Sequence, residues 1–427
     1  MPRNNILFIA AFAIICGLAV AGCDEIFGSK SDPVTDEIFD QGRHDPSAIV
    51  EEVGYSALLP FWFFDKPTDV HVGFDELVYV TDASGLHILD RAGGLFRTIE
   101  LQGATTVVQD RMLNVYVSAR YDTVVQAVDP DLVWNLPAVF KFENPGGGSA
   151  AVLDTIIMPF HDASRSTASV QRRRLNPDRN DNADKIEITG LGILDDNTLY
   201  VARRGPRNIT GQPEAPDNTV LIYQYQESEG RMRNTGQIRA LDPNNPTLAS
   251  AVQIGDLTTF VGAPQRENIT SDRSFLITQQ DTTRDISFRV LWINALDDVE
   301  GIDGLAYRSR PQLLTHDTER ADRFLYEQGR FVNPTGLAFS ADARGHIFVT
   351  DAGTDSLYLF QSNGHEGVIP PAGSQATKAI SVSFGGTGNG PRQFNNPSGV
   401  AYFRQVVYVA DRDNNRISRY KLNTDLE

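Results

Sequence analysis

The chain has 427 residues, 41% of them hydrophobic, which is enough to build a large core. Its 55 acidic residues against 38 basic ones leave a net charge of −17, which repels nucleic-acid phosphate and argues against that class of partner. Two cysteines in all exclude a disulfide framework.

The N-terminus sets the expected compartment. Arg3 supplies a positive charge, and Ile6 to Val20 then run almost without polar side chains, interrupted only by Cys16 and Gly17. This reads as a secretory signal over residues 1–22, too short and too poorly flanked for a lasting membrane span. Val20-Ala21-Gly22-Cys23 resembles the bacterial lipobox. That resemblance implies cleavage before Cys23, acylation of its thiol, and a membrane partner held through the lipid. The expected location is the cell envelope, facing the periplasm or the exterior. With Cys16 removed and Cys23 acylated, the body has no thiol left for a metal. Residues 23–47 are polar and broken by Gly28 and Pro33, so they read as a flexible tether.

From residue 48 onward a repeat runs through the body. Pro67-Thr68-Asp69-Val70-His71-Val72 precedes Val78-Tyr79-Val80-Thr81-Asp82. Pro334-Thr335-Gly336-Leu337-Ala338-Phe339 precedes Ile347-Phe348-Val349-Thr350-Asp351, and Pro397-Ser398-Gly399-Val400-Ala401-Tyr402 precedes Val407-Tyr408-Val409-Ala410-Asp411. Each is a β-rich run, a polar turn and a second β-rich run, which is a hairpin signal. Weaker copies stand at Leu113–Ala119, Thr198–Arg203 and Ser274–Gln279, which makes six units. No long stretch keeps a 3.6-residue apolar period, so helix is minor.

The last two units resemble NHL repeats. Asp411-Arg412-Asp413-Asn414-Asn415-Arg416-Ile417 matches the closing part of that pattern, and Gly385 to Pro397 matches its Gly-rich lead-in. The resemblance is strong over 331–421, fair over 66–101 and 187–240, and poor over 241–330. It implies an all-β fold: a six-bladed β-propeller of four-stranded antiparallel blades spanning 48–427. The physics agrees, because a blade cannot bury both faces alone and gains by stacking in a ring. Tyr79, Tyr116, Tyr200, Phe348 and Tyr408 share one repeat position and are expected to pack between blades. The last unit offers only three strands, so the apolar segment Ser56 to Phe64 is expected to pair with it and close the ring.

The strand ends form a column of Asp82, Ala119, Arg203, Gln279, Asp351 and Asp411. Its carboxylates are expected to bind turn amides rather than a metal. Asp178, Asn180, Asn182 and Asp184 space oxygen side chains as calcium loops do. Ala183 stands where such loops carry glycine, so a solvated loop is the default reading and calcium the one ion to test. No cofactor is otherwise expected. Insertions fall mainly between second and third strands or between blades, which places them at one face of the disc. That face carries Arg120, Tyr121, Trp134, Arg203 and Arg204, a mixture of Arg and aromatics suited to binding a protein or saccharide partner. The leading functional expectation is therefore a binding or scaffold module. The alternative is a metal-dependent lactonase- or lyase-type enzyme with its site at the propeller mouth, as similar propellers have.

Overall fold

A computed structural model of the chain describes residues 53–124, 133–158, 161, 186–204, 219–238, 253–262, 272–280, 286–297 and 304–425. Strands β1 (Tyr55–Ala57) and β2 (Trp62–Phe63) come first among the described residues but belong to the last blade. Blade 1 holds β3 (Asp69–Val72), β4 (Val78–Asp82), β5 (Gly85–Leu89) and β6 (Leu95–Glu100). Blade 2 holds β7 (Thr106–Gln109), β8 (Val115–Val124), β9 (Val133–Phe142) and β10 (Val152–Ile157). Blade 3 holds β11 (Glu187–Ile193), β12 (Leu199–Arg204), β13 (Thr219–Gln226) and β14 (Arg231–Ile238). Blade 4 holds β15 (Ile254–Thr259), β16 (Phe275–Gln279), β17 (Val290–Leu296) and β18 (Ala306–Ser309). Blade 5 holds β19 (Pro334–Phe339), β20 (Ile347–Asp351), β21 (Ser356–Phe360) and β22 (Phe384–Gly385). Blade 6 holds β23 (Pro397–Phe403), β24 (Val406–Asp411) and β25 (Arg416–Leu422), with β1 and β2 added along β25.

All pairings between these strands are antiparallel, and the expected six-bladed propeller is what forms. The first strands of successive blades touch in an unbroken circle, β3 to β7 to β11 to β15 to β19 to β23 and back to β3. Small residues allow this approach. A Cβ added at Gly190 would lie 2.4 Å from the Leu257 amide nitrogen, and one at Gly336 would lie 2.9 Å from the Gly399 Cα. Tyr79, Tyr116, Tyr200, Phe348 and Tyr408 are buried between blades as expected.

Closure follows the expectation drawn from the missing strand. Tyr55 to Ala57 pair with Leu422 to Tyr420, and Trp62 pairs with Ile417. Trp62 packs on Tyr408 at 5.9 Å between ring centroids, while the Arg419 guanidinium lies 4.4 Å from the indole. The NHL-type Asp and Arg lock the same blade. Buried Arg416 donates to Asp411 at 2.8 Å and to the carbonyls of Asn389, Gly390 and Gln393 at 2.9–3.0 Å. One side chain thus fixes the Gly-rich lead-in to the strands that follow it.

Two details correct the expected loop arrangement. The stretch 296–322, whose sequence reads as an insertion between blades, contains β18. First-to-second-strand turns are not short everywhere, since 15 residues, 260–274, separate β15 from β16. Trp62→Ala should cost roughly 3–5 kcal/mol of stability by removing a buried aromatic at the closing seam. Denaturant unfolding checks this, and the loss should be accompanied by faster hydrogen exchange in β24 and β25. A stability change with blade 6 exchange untouched would show that the seam does not hold that blade.

Candidate functional site

All six blades contribute to a cavity of about 450 Å3 at the end of the disc where the inner strands begin. Its wall is a ring set by one repeat position. Thr68, Thr105, Thr189, Thr335 and Ser398 line it from five blades, and Gly255 stands there in blade 4. In β11, β19 and β23 the register slips at this residue, a β-bulge that turns the hydroxyl out of the ladder. Several of these hydroxyls also staple blade to blade. Thr68 Oγ1 donates to the carbonyl of Ala104, Thr335 Oγ1 to that of Pro397, and Ser398 Oγ to that of Pro67.

The ring is broken at Gly255 for a steric reason. A Cβ there would lie 2.5 Å from Cδ of Gln280, so the missing side chain leaves room for Gln280 to lean over the mouth. Gln280 Nε2 donates to the Pro334 carbonyl at 3.0 Å, and its Oε1 accepts from Arg204 Nη1 at 2.6 Å. Arg204 also pairs with Glu187. Blades 3, 4 and 5 are thereby joined by one polar chain across the rim. Two hydroxyls near this break, on Thr189 and Thr278, are buried without a hydrogen-bond partner among the described residues.

The cavity is basic within an acidic protein. Arg120, Arg204 and Arg412 line it against the single carboxylate of Glu187. Arg412 is exposed and its side chain makes no ion pair or hydrogen bond among the described residues. Asn333, Asn396 and Gln280 add amide groups, so the mouth offers guanidinium, amide and hydroxyl donors together.

One residue deeper along the inner strands lies a pair of carboxylates. Asp69 accepts the amides of Val70 (2.8 Å) and Val107 of blade 2 (3.0 Å). Asp256 accepts those of Leu257 and of Leu337 in blade 5, both at 2.7 Å. Blades 1 and 4 are opposite in a ring of six, so the two carboxylates face one another across the axis. Burial pushes Asp69 up to about 7, with the two amides opposing, and raises Asp256 strongly, with the Asp69 charge adding to it. Both carboxylates act as blade-to-blade staples.

The strand-end carboxylates are likewise committed to amides. Asp82 accepts the amides of Asp65, Ser84 and Gly85, and Asp351 accepts those of Val332, Asn333 and Gly353. Asp411 accepts from the Asn395 amide, from Asn414 and from Arg416. Among the described residues no group of three or more His, Cys, Asp or Glu is arranged to hold a metal. The calcium-like run Asp178, Asn180, Asn182 and Asp184 lies outside the described residues, as does Cys23.

The structure separates the five residues expected to bind a partner. Arg120 and Arg204 line the mouth. Tyr121 is half-buried, 6.2 Å from the ring of Phe140. Trp134 and Arg203 are 5% and 1% exposed, which corrects the expectation that they stand on the surface. Trp134 joins the core with Ile156, Met158, Ile186 and Ile188. Thr68, Thr189, Gln280, Glu187 and Arg412 were not anticipated. The Pro-Thr and Pro-Ser pairs at 67–68, 334–335 and 397–398 are the signal that marks the hydroxyl ring.

The NHL repeat pattern matches residues 394–420, which contain most of blade 6. No curated protein matches the sequence. Among solved structures, the chain is similar to a Bacteroides thetaiotaomicron protein of unknown function, with 14% identity, TM-score 0.42, and coverage of 88% of this chain and 74% of that one. It is also similar to a PQQ-bound aldose sugar dehydrogenase of Streptomyces coelicolor, with 12% identity, TM-score 0.43, and coverage of 87% and 99%. A Xanthomonas campestris gluconolactonase shows 8% identity, TM-score 0.43, and coverage of 89% and 93%. No chemistry is carried over from likenesses of this order.

The axial carboxylates give the fold a pH signature. Asp69 stays protonated in the folded chain up to about pH 7, whereas an unfolded aspartate ionises at about 3.9. Its contribution to stability is full in acid and is lost as pH rises through about 7. His71 acts in the opposite sense. Burial lowers it to about 4, so its contribution is present above about 6.5 and is lost as pH falls toward 4. Asp69→Asn removes the first of these, together with the Asp69 charge that helps to raise Asp256, and leaves His71 in place. The variant should be less stable than wild type at pH 5, and the gap should narrow by pH 8. Melting temperatures across that range check it; a gap independent of pH would mean that Asp69 is ionised throughout.

Proposed function

We propose that this protein is a non-catalytic binding module tethered to the cell envelope through acylated Cys23, and that its partner docks a carboxylated glycan end in the propeller mouth. The observation that carries this reading is the convergence of Arg120, Arg204 and Arg412 on one cavity in a chain of net charge −17. Guanidinium groups pair with carboxylates through two parallel hydrogen bonds, while hydroxyls and amides suit sugar oxygens. The ring of Thr and Ser provides those hydroxyls on a rigid support.

A metal-assisted enzyme would need carboxylate oxygens to spare at this mouth. The carboxylate in the lining, Glu187, is held by Arg204, and the axial aspartates accept amides. That supports binding over turnover.

Titration with oligogalacturonate and with a neutral maltooligosaccharide of matched length tests the proposal. The acidic oligomer should bind, and added salt should weaken it. Arg204→Ala and Arg412→Ala should each weaken binding about tenfold with nearly unchanged melting temperature. Gly255→Ala should do likewise by displacing Gln280 and thereby Arg204. Equal affinity for the neutral oligomer would overturn the assignment.

The tether has its own test. Cys23→Ser should abolish uptake of labelled fatty acid and shift the protein from the detergent phase to the aqueous phase. Unchanged labelling and partitioning would remove the anchor from the proposal.

A further inference from the structure

The end of the disc opposite the mouth holds a second, smaller cavity, of about 190 Å3, between blades 2 and 3. At its base lies Lys141 of β9, only 4% exposed. The strand pairing places it between Tyr116 of β8 and Asp154 of β10. Its Nζ lies 3.9 Å from the ring centroid of Tyr225 in β13 and 5.4 Å from that of Tyr116.

Two rings attract an ammonium but accept no ordinary hydrogen bond from it. The neighbouring carboxylates are engaged elsewhere. Asp110 accepts the amides of Met112 (2.9 Å) and Asn114 (2.8 Å), the Asn114 side chain (3.0 Å) and the Tyr116 hydroxyl (3.1 Å). Asp154 accepts the amides of Thr155 (2.8 Å) and Met232 (2.6 Å). Among the described residues, Lys141 Nζ makes no hydrogen bond or ion pair. The Nζ reaches the cavity, where water or a hydrogen-bond acceptor on a bound ligand can take the donors that no protein group takes. Burial lowers the pKa of Lys141, while Asp110 and Asp154 oppose the shift.

The walls limit what that group can be. Asp110, Asp196 and Glu227 face the cavity with Lys141, and Arg273 pairs with Asp196 at 2.6 Å, which leaves one negative charge in excess and disfavours an anion. Glu227 is exposed and its carboxylate has no partner among the described residues. The ligand must accept from Lys141 and donate to a carboxylate. Among neutral groups, a hydroxyl does both. Tyr225, 36% exposed, supplies an aromatic edge for an apolar ring face. We propose that this cavity binds a neutral polyol, a single sugar unit, with one hydroxyl oxygen on Lys141 and a neighbouring hydroxyl donating to Glu227. The site is independent of the mouth and of the carboxylate recognised there.

The probes are the methyl glycosides of glucose, galactose and mannose, with glucuronate as the anionic control. Wild-type protein is acetylated with limiting acetic anhydride, and the extent at Lys141 is read by mass spectrometry. At least one neutral glycoside should slow Lys141 acetylation about tenfold, while glucuronate should not. Saturation-transfer NMR should show the same glycoside bound to wild type and to Arg204→Ala, with the signal lost in Lys141→Met. The protection arm uses unaltered protein, so it decides the matter even if Lys141→Met folds poorly. Failure of all three glycosides to protect, or equal protection by glucuronate, would overturn the proposal. Loss of the NMR signal in Arg204→Ala would assign the sugar to the mouth instead and would equally overturn it.

Discussion

The closed circle of inner strands is the constraint on which the other features depend. A four-stranded blade has two faces to bury and neighbours on both sides, so no blade is complete until the ring is. Closing six blades brings six backbones close together at the axis. Glycine at 190, 336 and 399 follows from that crowding, as the close approaches at each position show. So does the use of carboxylates and hydroxyls as staples: the carboxylates accept amides, and the hydroxyls donate to carbonyls, of the next blade.

The mouth inherits its chemistry from these staples. A hydroxyl placed to bond a neighbouring blade also lines the channel, so a repeated structural device becomes a repeated polar surface. Symmetry alone would give an undifferentiated ring. The exception at Gly255 breaks it, admits Gln280 over the rim and draws Arg204 into a fixed position through two acceptors. Direction in this site comes from one missing side chain as much as from those present. The Asp69 and Asp256 pair below adds a second asymmetry, on the axis through blades 1 and 4.

Blades, their number and the closing segment were legible in the sequence because they rest on period-2 patterning and on counting. The site was legible only in part. The stretch 120–136 reads as a connection, but β8 and β9 extend their ladder past Ala119 to Val124 and Val133. Within a ladder neighbouring side chains alternate faces, so Trp134 and Leu136 turn into the core while Val133 and Asn135 turn out. The same alternation separates Arg203, buried, from Arg204, at the rim. Composition marked the right neighbourhood, and strand parity decided which residues are presented. Gln280 and Arg412 carried no such signal, since their roles depend on which blades meet across the axis. Lys141 was equally silent, because its two aromatic neighbours are 25 and 84 positions away.

Closure of the ring also has a consequence in time. The Gly54 amide bonds the Asn423 side chain, a contact spanning 369 positions. Contacts of such separation impose a large loop-closure cost before they return any stabilisation, and chains rich in them fold slowly. The segment carrying Trp62 and Phe63 is synthesised long before its partner β25, since Trp62 and Ile417 are 355 positions apart. During that interval an apolar segment and the face of blade 1 that blade 6 will cover remain exposed, which leaves the nascent chain open to aggregation until β25 is made.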